Sequence, residues 1–173
     1  MAGARAFDAD AAITYARENK SVKRWGEGRC AERTMNAVEH GLGLVPRTLG
    51  GRPNSAYQFA PLLTESRLTS MGSVNPGFVL KENVQQPQKG DVAIIEPIAE
   101  KRFTGPWRDP DKAFQAIAPH GHMAIFDGEV WISDHIQDGG LPTTRNQPYP
   151  NSDYRERKPR VRIFRHQSME IGD

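Results

Sequence analysis

Cys30 is the only cysteine, and it is accompanied by His40, His120, His122, His135 and His166. A single thiol excludes an internal disulfide and a cysteine-rich zinc site. Two chemistries remain: a thiol nucleophile with an imidazole base, or a metal held by histidine and carboxylate. Cys30 opens the segment CAERTMNAVEH, which reads as a helix over 30–40. Unpaired N–H groups and the positive end of the macrodipole at a helix start both favour a thiolate, so a lowered thiol pKa is expected. The Cys30 N–H could also face a developing oxyanion. Gly26 and Gly28, just before it, would let a substrate backbone approach closely. The bland reading of a lone cysteine is a small buried hydrophobe.

A base for that thiol is offered by His122, which follows Gly121 and opens the strand-like run HMAIF. His120 lies two residues earlier and competes for the role. An imidazole base needs a third group to orient it. Asp134 is the favoured candidate and Ser133 the alternative. A two-residue loop at Asp127-Gly128 would set Ser133 on the His122 face, and an odd loop would set Asp134 there. The metal alternative uses His120 and His122 with Asp134 or His135, because H-x-H on a strand points both rings to one face. Trp25, Tyr57, Trp107 and Arg108 are candidate groove residues, with Arg108 suited to a substrate carboxylate.

These groups need elements to hold them. Residues 8–19 read as a helix capped by Asp8 or Asp10, with Ala9, Ala12, Ile13 and Ala16 on one face. Ala31, Met35, Val38 and Leu42 form the inward stripe of the Cys30 helix, and Gly41 and Gly43 are suited to stop it. A third helix is expected over about 56–67, its start limited by Pro61. Residues 71–90 read as loop. Val92–Ile95 is the first expected strand, and 96–119 reads as an insertion of functional-loop length. His122–Phe126 and Val130–Asp134 flank Asp127-Gly128 as a hairpin, and Arg160–Arg165 alternates as a closing strand. Helices followed by antiparallel strands make an α+β layout, expected as one domain over 1–173.

Composition bounds the rest. The 173 residues carry 23 Lys and Arg against 21 Asp and Glu, a balance that gives no case for a strongly basic nucleic-acid binder. Arg155, Arg157, Lys158, Arg160, Arg162 and Arg165 form one basic stretch. A non-catalytic module binding an acidic polymer would use it, but the outer face of an edge strand explains it equally. No apolar run approaches the roughly 20 residues that span a bilayer, so no membrane insertion is expected. The first residues lack the apolar region of a secretory signal, so synthesis in the cytoplasm is expected.

Three segments carry a resemblance. Gly28-Arg-Cys-Ala31, opening a helix that ends Val38-Glu-His-Gly41, resembles the nucleophile motif of the CHAP and NlpC/P60 superfamily of papain-like peptidoglycan amidases. Pro87-Gln-Lys-Gly-Asp-Val-Ala93 resembles the segment before that superfamily's first core strand. Gly121-His-Met-Ala-Ile125 with Trp131-Ile-Ser-Asp134 resembles its base strand and the strand that follows. The resemblance implies a papain-like fold and a cysteine amidase cutting peptidoglycan stem or cross-link peptides through a thioester. It implies Cys30 as nucleophile, His122 as base, Asp134 as orienting residue, and no metal or organic cofactor. Trp25, Gly28 and Arg108 would contact substrate. The short chain looks most like the type VI secretion amidase effectors. That implies injection into the periplasm of a rival cell and a cognate immunity protein in the producer.

Overall fold

The computed structural model describes residues 3–21, 28–97, 120–137 and 159–170. Helix α1 (Ala9–Glu18) starts at Asp8, whose carboxylate accepts the Ala11 N–H at 2.9 Å. Helix α2 (Cys30–Gly41) buries Ala31, Met35 and Val38, and Leu42 follows them inward. A 3-10 turn (Ala56–Phe59) runs into α3 (Ala60–Thr64), with Pro61 in its first turn. The expected third helix therefore ends earlier and begins as a tighter turn, as a proline near the start allows.

Strands β1 (Arg67–Thr69) and β2 (Gly72–Val74) form a two-stranded hairpin. A six-stranded sheet follows, with β3 (Phe78–Lys81), β4 (Val92–Ile95), β5 (His122–Phe126), β6 (Trp131–Ile132), β7 (Ile136–Gln137) and β8 (Val161–His166). Its order is β3-β8-β4-β5-β6-β7, every pair antiparallel. Two strands lie where 71–90 reads as loop. Strand β3 exists through pairing with β8, Leu80 opposite Phe164, and such a distant partner leaves no local periodicity.

Alternation along the sheet separates two apolar sets. Val92, Ile94, Met123, Ile125 and Ile132 join Met35, Val38, Phe59 and Leu63 in the layer under the helices. Ala93, Ala124, Phe126, Trp131 and Ile163 cluster on the opposite face. The Gly90-Asp91 turn fixes how β4 enters. Gly90 sits at φ +92, and a Cβ there would lie 2.9 Å from Ala9 Cβ, so a side chain would force α1 away. Asp91 is fully buried and grips Arg165 through two bonds of 2.8 and 2.7 Å while accepting the Gln88 N–H at 2.8 Å.

The basic closing strand is not at an edge: β8 lies between β3 and β4. Arg165 is consumed by Asp91, and Arg162 donates to the Tyr57 carbonyl at 2.8 Å. Arg155, Arg157 and Lys158 lie outside the described residues. Among the described residues, no helix is long and apolar enough to cross a membrane.

Candidate active site

Helix α2 delivers Cys30 to the rim of the sheet. Thr34 Oγ1, one turn on, donates to the Met123 carbonyl at 3.2 Å and docks the helix start on β5. The Met123 N–H faces the Cys30 sulfur, so the thiol rests against the residue after His122. Cys30 is 8% exposed. It lines a cleft of about 340 Å³ whose walls include Gly28, Arg52, Phe59, His120 and Gly121.

The expected lowering of the thiol pKa is not what the structure gives. Burial pushes the Cys30 thiol up to about 11, and the Asp134 charge adds to the rise. The N–H groups of Met123, Ala31 and Cys30 oppose it without overcoming it. Desolvation of the charged form outweighs the helix start. His122, 2% exposed, is displaced in the opposite sense, down to about 3. Burial is the main cause, His135 adds to the fall, and Asp134 counteracts it. At neutral pH each group therefore rests uncharged, the one a thiol and the other an imidazole.

Two hairpins decide which polar group meets His122. The β5–β6 loop has four residues, 127–130, and pairs Phe126 with Trp131. The Asp127 carboxylate closes it by accepting the Glu129 and Val130 N–H groups at 2.8 and 2.7 Å. This corrects the odd loop that the choice of Asp134 required: the loop is even, since an Asp side chain can satisfy two turn amides. The chain then turns back at once through Ser133, Asp134 and His135, and Trp131 pairs with Gln137. Gln137 thus shares the face of Trp131, Phe126 and His122, and its side-chain amide hydrogen-bonds His122 Nε2.

Asp134 occupies the tip of the second hairpin, 2% exposed. Its carboxylate accepts the Arg29 N–H at 2.9 Å, immediately before Cys30, and meets His135 Nδ1 at 3.1 Å. Ser133 Oγ lies 3.3 Å from Asp134 Oδ1 and 3.4 Å from the Gln137 amide nitrogen. Asp134 links the predicted residues: its charge acts on both Cys30 and His122, its carboxylate is held at the cysteine loop, and Gln137 meets the imidazole. Sequence reasoning missed Gln137 because two-residue strands carry no readable periodicity.

Arg52, another residue the sequence reading passed over, stands in the cleft wall. Buried Glu39 and Asn36 Oδ1, the latter at 2.7 Å, hold its guanidinium, and Glu39 also accepts the Arg47 and Leu49 N–H groups at 2.7 and 2.8 Å. One buried carboxylate thereby fixes the loop that forms this wall. Gly28 lines the cleft with φ +75. Tyr57 is 38% exposed. Trp25, Trp107 and Arg108 lie outside the described residues, as does most of the expected insertion.

The strand alternation that would aim His120 and His122 one way fails at Gly121. This residue sits at φ +68, and a Cβ there would lie 2.3 Å from the Ile95 carbonyl. His120 stands outside β5, exposed, with Nδ1 3.0 Å from Ser55 Oγ. Among the described residues, no three His, Cys, Asp or Glu side chains gather as a metal site.

No known protein-family model matches the chain, and no curated protein matches it. Solved structures do match. The type VI effector–immunity complex Tae3–Tai3 from Ralstonia pickettii holds a chain 31% identical at a TM-score of 0.58, with 93% of this chain and 100% of that one covered. In the selenomethionine form of that complex the identity is 31% and the TM-score 0.55, with 88% and 97% covered. The α+β, papain-like arrangement of helices on an antiparallel sheet is the fold of both proteins. With that identity running over nearly the whole of both chains, the protein belongs to the Tae3 family of type VI effectors.

Proposed function

We propose that this chain is a cysteine amidase of peptidoglycan peptides, delivered by a type VI apparatus into the periplasm of a target cell. A cognate immunity protein would hold it in check in the producer. The kinship to an effector solved with its immunity protein supports this reading. The observation that carries the chemistry is the sulfur at the first residue of α2, in a cleft wall, against the backbone next to an imidazole.

In this mechanism Cys30 Sγ attacks the amide carbonyl as its proton passes to His122. Thiol–base hydrogen bonds are often long before substrate arrives and tighten in the complex. The oxyanion turns toward the Cys30 N–H at the start of α2, a donor of a kind worth about 3–4 kcal/mol in comparable sites. The C–N bond breaks as the leaving nitrogen is protonated, a thioester remains, and water releases the acid and restores the thiol. Gln137 orients His122. As placed, its Oε1 is buried without a partner. A half-turn of the amide gives that oxygen to the ring Nε2–H and leaves Nδ1 as the base. Asp134 fixes the cysteine loop and sets the local field. Trp25, Gly28 and Arg108 remain the proposed substrate contacts. The chemistry calls on no metal or organic cofactor.

Digestion of purified sacculi, read by mass analysis of the released muropeptides, tests the proposal. Cys30→Ala should abolish release while retaining the wild-type fold by circular dichroism. Undiminished release by that variant would overturn the thiol mechanism.

A further inference from the structure

The two imidazoles of the H-G-H sequence do different things. His122 is buried and held by Gln137. His120 is exposed, lines the same cleft as Cys30, and has its Nδ1 3.0 Å from Ser55 Oγ. Gly121 makes the separation, since its positive φ and contact with the Ile95 carbonyl admit no side chain. A ring fixed at Nδ1 has only Nε2 left to offer, and Ser55 sits immediately before the 3-10 turn whose Ala56 and Phe59 also line the cleft.

We infer that His120 is a second catalytic imidazole, the one that faces substrate and hands the proton to the leaving amine, with Ser55 as its positioning residue. This rests on the amidase reading and extends it. An amide differs from an activated ester in one demand: its leaving nitrogen must be protonated as the C–N bond breaks. A solvent-facing ring in the cleft wall is placed for that and can be recharged from water. The buried ring beside His135 takes up a proton reluctantly, down at about 3. It is suited to exchange with sulfur and not with solvent.

The protons balance. In acylation the S–C bond forms and the C–N bond breaks, the thiol proton goes to His122, and the His120 imidazolium protonates the amine. In deacylation water forms the O–C bond, the S–C bond breaks, the water proton goes to His120, and His122 returns its proton to sulfur. Each ring ends as it began.

The test compares leaving groups in full-length protein. His120→Ala should lower muropeptide release by about 100-fold, within the range of a general acid. Acylation of Cys30 by p-nitrophenyl acetate, read as the p-nitrophenolate burst, should fall no more than about threefold, because that leaving group needs no proton. Free imidazole should restore part of the muropeptide activity, because the vacated site is open to solvent. Ser55→Ala should show the same split at smaller amplitude. Equal loss on both substrates, or no loss on either, would overturn the inference. Cys30→Ala run alongside separates the failures: an active Cys30→Ala sinks the thiol mechanism, whereas an inactive Cys30→Ala beside an unaffected His120→Ala sinks only the role of His120.

Discussion

Asp91 and Asp134 are both buried carboxylates at turns of one sheet, and they are used in opposite ways. Asp91 is closed by the Arg165 fork and a backbone N–H, so its charge is neutralised where it sits. Asp134 accepts the Arg29 N–H, meets the His135 ring and the Ser133 hydroxyl, and its field raises the Cys30 thiol and the His122 imidazole. A carboxylate matched by a guanidinium holds structure. One set beside a thiol and an imidazole shapes their protonation.

The largest effect expected from breaking this contrast is at Asp91. Asp91→Ala takes the carboxylate from a buried guanidinium and should cost about 3–5 kcal/mol. Thermal unfolding would show it as a fall on the order of 10 °C. A stability within about 1 kcal/mol of wild type would remove the distinction from Asp134. Next comes the imidazole cluster. Asp134→Asn keeps the shape and removes the field, so iodoacetamide should label Cys30 on the order of three- to tenfold faster at pH 8. Gln137→Ala should cost more turnover than Asp134→Asn if the glutamine orients the base. The reverse ranking would return that role to Asp134.

A pH dependence of stability with two limbs is expected as well. The folded-state pKa of His122 is lowered from 6.5 to about 3, so the unfolded chain takes up this proton first. The contribution of His122 to stability is complete above pH 6.5 and is lost as pH falls toward 3. The thiol of Cys30 is raised from 9.0 to about 11, so its contribution is complete below pH 9.0 and is lost as pH climbs toward 11. Urea midpoints measured across pH should fall at both ends. His122→Asn should flatten only the acid limb, and Cys30→Ala only the alkaline one. An acid limb unchanged in His122→Asn would assign it to other groups.

Sequence alone determined the parts whose signals are local. The stripe Ala31, Met35, Val38 and Leu42 defined α2 and put Cys30 at its start, because a helix writes its buried face every three to four residues. β-branched and aromatic runs around Asp127-Gly128 defined β5 and its turn to β6. Tertiary structure decided the rest, because it depends on distances that no window of sequence contains. Burial turned an expected thiolate into a neutral thiol, since the loss of water outweighs the helix start. Two short hairpins brought Gln137 to His122 and Asp134 to the cysteine loop. The carbonyl of Ile95, pressed against Gly121, sent His120 into the cleft and kept His122 in the sheet.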